Sequence, residues 1–209
     1  MNVKGNQVIS RYPVVEDMFI FPSSGDESTS IGAAMQVYAS YCVEHGLNPV
    51  DEITPIGNLY LGPRDRSWEI DDWKIDGVEI IELSPRDIIE WTAEKLAMGE
   101  VVARCSGRCE FGARALGNRT IMARAQELEI TDELNASIKH RDFWMPFAPS
   151  ILREDQHKII KNPKKLPGRW MIQAFDTTEE GYRQLKAATH PYDKTARPQL
   201  VDESNGDYY

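Results

Sequence analysis

Residues 107–122 read GRCEFGARALGNRTIM. Three glycines, Gly107, Gly112 and Gly117, punctuate the stretch, and three arginines, Arg108, Arg114 and Arg119, are interleaved with them. Glycine reaches backbone conformations closed to other residues and lets main-chain N–H groups come close to a ligand. A guanidinium fork matches the paired oxygens of a phosphate or carboxylate. The pattern predicts a loop from Gly107 to Gly117 whose guest is a small anion. A surface loop whose arginines pair with nearby acids fits the same letters.

Working outward, the run EVVARC at 100–105 and the segment Arg119–Ala123 read as strands on either side of that loop. Before them lie a strand-like stretch, Val78–Leu83, and the clearest helix of the chain, Pro85–Met98. Ser84 is its N-cap, Pro85 opens its first turn, Asp87 takes the capping-box position and Gly99 lies beyond its end. After the loop come a helix over Thr131–Lys139, capped by Thr131, and a strand-like WMIQAF at 170–175. Alternating helix and strand signals over Val78–Ala188 predict an α/β domain with a mixed sheet. Toward the N-terminus, Met18–Phe21 reads as a strand, PSSGDESTS as a turn and Ile31–His45 as a helix closed by Gly46. Pro49, Pro55, Gly57, Gly62 and Pro63 break the pattern between Asn48 and Asp76, which places a linker there. The tail from Pro191 reads as extended and polar.

The chain has 209 residues, 41% hydrophobic and 27% charged, in the range of a globular protein with a buried core. Twenty-four Lys and Arg against thirty-three Asp and Glu give a net charge of −9. That balance disfavours general binding to nucleic acid or an anionic membrane. It also hides an island: Arg104–Arg124 holds five arginines and one acid, Glu110, for +4, leaving −13 elsewhere. Cys42, Cys105 and Cys109 are odd in number and lack a CxxC pair, so neither a disulfide framework nor a four-ligand zinc site is indicated, and a cytoplasmic setting fits. No stretch approaches the roughly 20 apolar residues of a membrane span, and the N-terminus does not read as a signal peptide.

Three further clusters carry chemistry. In IKHRDFWMPFAPS, Lys139 and Arg141 set a point charge and a fork two residues apart, and Ser150 follows with a hydroxyl; the same cations would also suit a helix C-terminus. Phe143, Trp144 and Phe147 read as packing rather than a base-stacking platform. In HPYDKTARPQLV, His190, Asp193, Lys194, Thr195 and Arg197 crowd into eight residues, as in a strand closing over a site or in a solvated tail. In SGDESTSIGAA, Asp26 stands in a tight turn before a helix, where a carboxylate serves a metal or caps the helix.

In order along the chain, NVKGN with GDESTSIGAA, GRCEFGARALGNRTIM, LNASIKHRDFWMPFAPSIL and THPYDKTARPQLV resemble the O-carbamoyltransferases of antibiotic and nodulation-factor biosynthesis. The resemblance implies an α/β fold in two parts: residues 1–62 as the end of an ASKHA-type domain plus linker, and residues 63–209 as a YrdC-like domain. It implies binding of carbamoyl phosphate and ATP, formation of carbamoyl-adenylate with release of pyrophosphate, and transfer of the carbamoyl group to a hydroxyl acceptor aided by an iron ion. Carried over residue by residue, Arg108, Arg114, Lys139, Arg141 and His190 form the reactive set. Arg119, Ser150, Thr195 and Arg197 contact substrate, and Asp26 is a metal ligand.

Ala113 stands where the family usually has proline, Met145 where it has arginine, and PYDK replaces a shorter Val-Asp-Gly. Several hundred residues precede the GD turn in the family, including its histidine metal ligands and most of the acceptor pocket, so the chain is expected to be a piece that does not transfer to an acceptor unaided. Rival readings are an RNA-binding YrdC-like module and a structural remnant whose arginines are only ion pairs. A homodimer is left open.

Overall fold

The computed structural model describes residues 2–64, 75–140, 142 and 145–209. Calls falling on 65–74, on Arg141 and on Phe143 and Trp144 lie outside the described residues. The described elements are mixed α/β. Helices α1 (Val3–Ser10), α2 (Glu27–Glu44) and α3 (Pro49–Glu52) precede α4 (Pro85–Ala97), α5 (Glu129–Leu134), α6 (Gln156–Ile159) and α7 (Glu179–Gln184). Strands β1 (Val102–Cys105) and β2 (Arg119–Met122) pair antiparallel across the Gly-Arg loop. Strands β3 (Ser150–Leu152) and β7 (Gln199–Val201) pair parallel, and β4 (Ile160–Lys161), β5 (Phe175–Thr177) and β6 (Thr195–Ala196) form an antiparallel sheet.

Local signals set α4 where the sequence places it. Ser84 accepts a hydrogen bond from the Asp87 amide at 3.2 Å, Pro85 occupies the first turn, and Gly99 follows in the left-handed region. β1 and β2 likewise fall on EVVARC and on Arg119–Ala123. The core forms elsewhere, where Ile151, Ile159, Ile160, Phe175, Leu185, Ala196 and Leu200 meet under β3–β7 and β4–β5–β6. Each large aliphatic chain among them contributes about 1.5–3 kcal/mol by leaving water.

Five expectations are corrected, the last of them the tail from Pro191. Met18–Phe21 is not a strand; the Asp17 carboxylate accepts from the Met18 amide, and the segment has no ladder partner among the described residues. Val78–Leu83 is also irregular, lacking a partner strand among the described residues. In WMIQAF only Phe175 enters a strand, although Met171–Phe175 are buried. The Thr131 helix begins earlier, at Glu129, so Thr131 lies inside it and its hydroxyl donates to the Ala187 carbonyl instead of capping. Its last turn, Asn135–Lys139, widens into a π-turn ended by His140 at φ 48°.

The tail from Pro191 is not a solvated extension. Ala196 pairs with Phe175, Gln199–Val201 pair with Ser150–Leu152, and Pro198, Gln199 and Leu200 are among the most buried side chains. Apolar residues between the polar ones drive this segment inward. The N-terminus joins the same region: Asn6 donates to the Ile172 carbonyl at 2.8 Å, and Arg11 holds Asp176 at 2.7 Å.

Candidate functional site

The Gly107–Gly117 loop is built around two polar side chains. One oxygen of Glu110 accepts from the amides of Leu116 (2.8 Å), Asn118 (2.7 Å) and Arg119 (3.1 Å). Buried Asn118 donates to the Arg108 carbonyl at 2.8 Å and accepts from Arg104 at 3.0 Å. Charge-assisted bonds to a carboxylate are among the stronger ones. The acid that the letters offered as an ion-pair partner for the arginines is thus spent on the main chain. The loop also packs on the segment before it: Leu59–Arg64 runs antiparallel to Arg108–Phe111, with Gly62, Cys109 and Phe111 amides each donating across the pair.

The arginines divide by task. Arg119 donates to the carbonyls of Ser106, Gly107 and Asn118, pinning the base of the loop where β2 begins. Arg108 is exposed and donates to the carbonyls of Leu61 and Gly62. Arg114 has one long bond, 3.4 Å to the Ala113 carbonyl, and its Nε is buried without a partner. Arg104, half-buried, donates to the Gly117 carbonyl and lies 5.8 Å from the Tyr208 ring centroid. Among the described residues, Arg104, Arg108 and Arg114 have no carboxylate within ion-pair distance.

Ser150 is connected to this loop through other groups. Its hydroxyl shares a hydrogen bond of 2.7 Å with the Tyr208 hydroxyl, whose ring packs close to Gly117; a Cβ there would sit 2.4 Å from Tyr208 Cγ. Gln199, opposite Ser150 in the β3–β7 register, donates to the Leu116 carbonyl at 2.8 Å. Burial raises the Tyr208 hydroxyl pKa above its usual value, with the Ser150 bond opposing. Asp26 reaches the same neighbourhood indirectly: Ser23, in its turn, bonds Glu27 and abuts Gly112. Asp26 itself is exposed and makes no cap bond.

A second cluster lies at the turn from His190 to Thr195. Buried Thr195 donates through its amide and hydroxyl to Asp193, at 3.0 and 2.7 Å. Lys4 of α1 meets Asp193 at 2.8 Å, and His190 Nδ1 stands 3.4 Å from the same carboxylate, close enough for an ion pair but misaligned for a hydrogen bond. Partial burial alone would raise the Asp193 pKa; the bonds from Lys4 and Thr195 outweigh it and hold the carboxyl at about 2. Arg197 donates to the Met171 carbonyl at 2.9 Å. Lys139, at the end of the π-turn, is exposed with no hydrogen-bond or ion-pair partner among the described residues.

The structure therefore brings Arg104, Arg108, Arg114, Arg119 and Ser150 into one neighbourhood and His190, Thr195 and Lys4 into another, and it makes no direct link from Lys139 to either. A cavity of about 10 Å³ between Leu59, Tyr60, Leu116 and Gln199 is lined by none of the sequence-predicted residues. Sequence reading missed Glu110, Asn118, Tyr208 and Lys4. A single acid in a run of arginines was the one available signal for Glu110. No described helix is long and apolar enough to cross a membrane.

Residues 93–209 match the family model described as the carbamoyltransferase C-terminus, and the chain belongs to the carbamoyltransferase family. An uncharacterized protein of Methanocaldococcus jannaschii is 34% identical over 217 aligned residues, covering 100% of this chain and 34% of its own length. The nodulation protein NolO of Bradyrhizobium diazoefficiens is 34% identical, over 93% of this chain and 35% of its own. NolNO of Sinorhizobium fredii is 30% identical, over 98% and 29%. The chain spans about a third of the length of these curated relatives.

Proposed function

We propose that this chain is the donor-activating portion of an O-carbamoyltransferase, binding carbamoyl phosphate and ATP and forming carbamoyl-adenylate with release of pyrophosphate. In this reading residues 63–209 form a YrdC-like domain and residues 1–62 the end of an ASKHA-type domain. The carbamoyl group then passes to a hydroxyl acceptor held mainly by polypeptide outside these residues. The observation that carries the reading is the open charge of the loop. Arg104, Arg108 and Arg114 lack carboxylate partners among the described residues, and Glu110 is turned to the main chain. Two polyanions side by side repel strongly, and fixed guanidinium groups offset that repulsion without reorganising.

Helix α2 supports the larger-enzyme part of the proposal. It runs 18 residues with charges only at Glu27 and Glu44, and only Cys42 is buried. Val37, Tyr38 and Tyr41 share one exposed stripe. A long helix with neither a charged face nor surface ion pairs is suited to burial against further polypeptide, and the matched relatives are about three times as long as this chain.

Among the described residues, the iron ion that the resemblance implies finds no site. Asp26 is exposed, and among the described residues no three His, Cys, Asp or Glu side chains group to hold a metal. Asp26 alone does not fit such a site.

Calorimetry with ATP and with carbamoyl phosphate tests the proposal, together with exchange of labelled pyrophosphate into ATP in the presence of carbamoyl phosphate. Saturable binding that Arg114→Ala weakens is the expected result. Absence of binding to both ligands, and of exchange, sinks it.

A further inference from the structure

Helix α1 lies outside the matched stretch 93–209, yet its polar residues make an ordered contact with that stretch. Lys4, Gln7 and Arg11 follow the i, i+3, i+7 spacing of one helix face. Arg11 holds Asp176 on β5 with both carboxylate oxygens, and Gln7, itself buried, donates to the same aspartate at 3.2 Å. Lys4 is the member that reaches the His190–Thr195 turn. Its ammonium group donates to Gln7 Oε1 at 2.7 Å and Thr195 Oγ1 at 3.4 Å and forms an ion pair with Asp193 Oδ2 at 2.8 Å.

We infer that Lys4 is a positioning residue of the carbamoyltransferase, fixing Asp193 so that the turn presents His190 and Thr195 in one geometry. The chain of contacts is continuous. Asp193 Oδ2 is on Lys4, while Asp193 Oδ1 receives the Thr195 amide and hydroxyl and stands 3.4 Å from His190 Nδ1. Main-chain bonds from the His190 amide to the Thr195 carbonyl and from the Lys194 amide to the His190 carbonyl close the turn, with Lys194 at φ 56°. That conformation is uncommon for a residue with a side chain and persists only where its surroundings hold it. Lys4 is a part of those surroundings that comes from 190 residues earlier in the chain, counting to Lys194. The N-terminal segment thereby acts on the turn, and an anion held by the turn is felt at α1.

This inference rests on the proposed function for its ligand, and two measurements separate their failures. The first needs no ligand. In Lys4→Met the Thr195 amide, which donates to Asp193, exchanges its hydrogen faster than in the parent protein, and Lys4→Arg restores protection. Unchanged exchange overturns the inference whatever the chain binds. The second is carbamoyl phosphate affinity by calorimetry in Lys4→Met, Asp193→Asn and the double variant. Lys4→Met weakens binding about tenfold, on the order expected for contacting residues that act as a unit, Lys4→Arg recovers it, and the double variant is no weaker than either single one. Additive losses, or affinity untouched by Lys4→Met, overturn it. A parent protein that binds neither ATP nor carbamoyl phosphate removes the proposed function and the ligand-presenting half of this inference, and leaves the exchange result to decide whether Lys4 holds the turn.

Discussion

Replacing Glu110 by alanine tests how the loop is held. One carboxylate oxygen receives three amides, those of Leu116, Asn118 and Arg119, at 2.7–3.1 Å. Leu116 and Asn118 are buried, so water does not readily replace the lost acceptor. An orphaned buried amide costs about 1–3 kcal/mol, and bonds to a charged acceptor sit at the upper end. Three donors sharing one oxygen are not independent, so the sum is not three full penalties. Glu110→Ala is expected to destabilise by about 3–4 kcal/mol, and Glu110→Gln, which keeps an acceptor oxygen but not the charge, by about 1–2 kcal/mol. Urea denaturation followed by circular dichroism measures both. The loss falls on β1–β2 as well as on the loop, because Asn118 and Arg119 lead directly into β2. If Glu110→Ala costs less than about 1 kcal/mol, or if Gln is no better than Ala, the carboxylate does not organise the loop.

Gly117→Ala places a Cβ 2.4 Å from the Tyr208 ring at a φ of 117°, so its melting temperature should fall by several degrees, whereas Gly57→Ala, with open space around it, should leave melting nearly unchanged. Arg114→Ala should lower ATP affinity while leaving thermal stability near the parent value, since its Nε has no partner to lose; Arg108→Ala should lower both, because it also releases the Leu61 and Gly62 carbonyls. If Arg114→Ala destabilises as much as Arg108→Ala and leaves affinity intact, the division of labour is wrong. Asp202 is drawn up in pKa by partial burial but held at about 2 by bonds from Ser204 and Arg153 and by Arg169, so its folded pKa is below the ordinary 3.8. A depressed carboxylate stabilises the fold above about 3.8 and loses that contribution as pH falls toward 2. Asp202→Asn should therefore narrow the stability difference between pH 5 and pH 2, read by denaturation at each pH.

What was legible in the sequence was local. Ser84 with Pro85 and Gly99 marked both ends of α4, and the glycines on either side of Arg114 marked a loop between two strands, because caps and left-handed positions are decided within a few residues. What was illegible depends on partners far along the chain. Leu200 and Ala196 are apolar in a segment that reads as polar, and only the arrival of β5 and β3 makes them core. Val78–Leu83 has the composition of a strand, but a strand needs a neighbour. The candidate site divides in the same way. Arginines between glycines signal an anion from letters alone, yet the letters do not say which arginines are free to meet it. Arg119, inside the motif, is committed to three carbonyls, while Arg114 keeps a buried Nε without a partner.

The same distinction bears on how an acidic chain could hold the proposed anion site. With −9 overall, the simplest expectation is that nearby acids neutralise every arginine. Among the described residues Arg104, Arg108 and Arg114 have no such acid, and several acids around the two clusters are engaged with other groups. Glu110 serves three amides, Asp202 is shared by Arg153 and Arg169, Asp176 is held by Arg11, and Asp193 by Lys4 and Thr195. An acid engaged in this way holds a loop or helix in place, and none of them makes a direct ion pair with Arg104, Arg108 or Arg114. At Debye lengths near 8 Å, acids elsewhere on the surface are largely screened from that loop. The local potential at the loop is set mainly by its own charges, five arginines against Glu110. Raising salt should therefore weaken anion binding gradually, through screening of a few charges, while leaving Glu110 and its three short-range bonds in place.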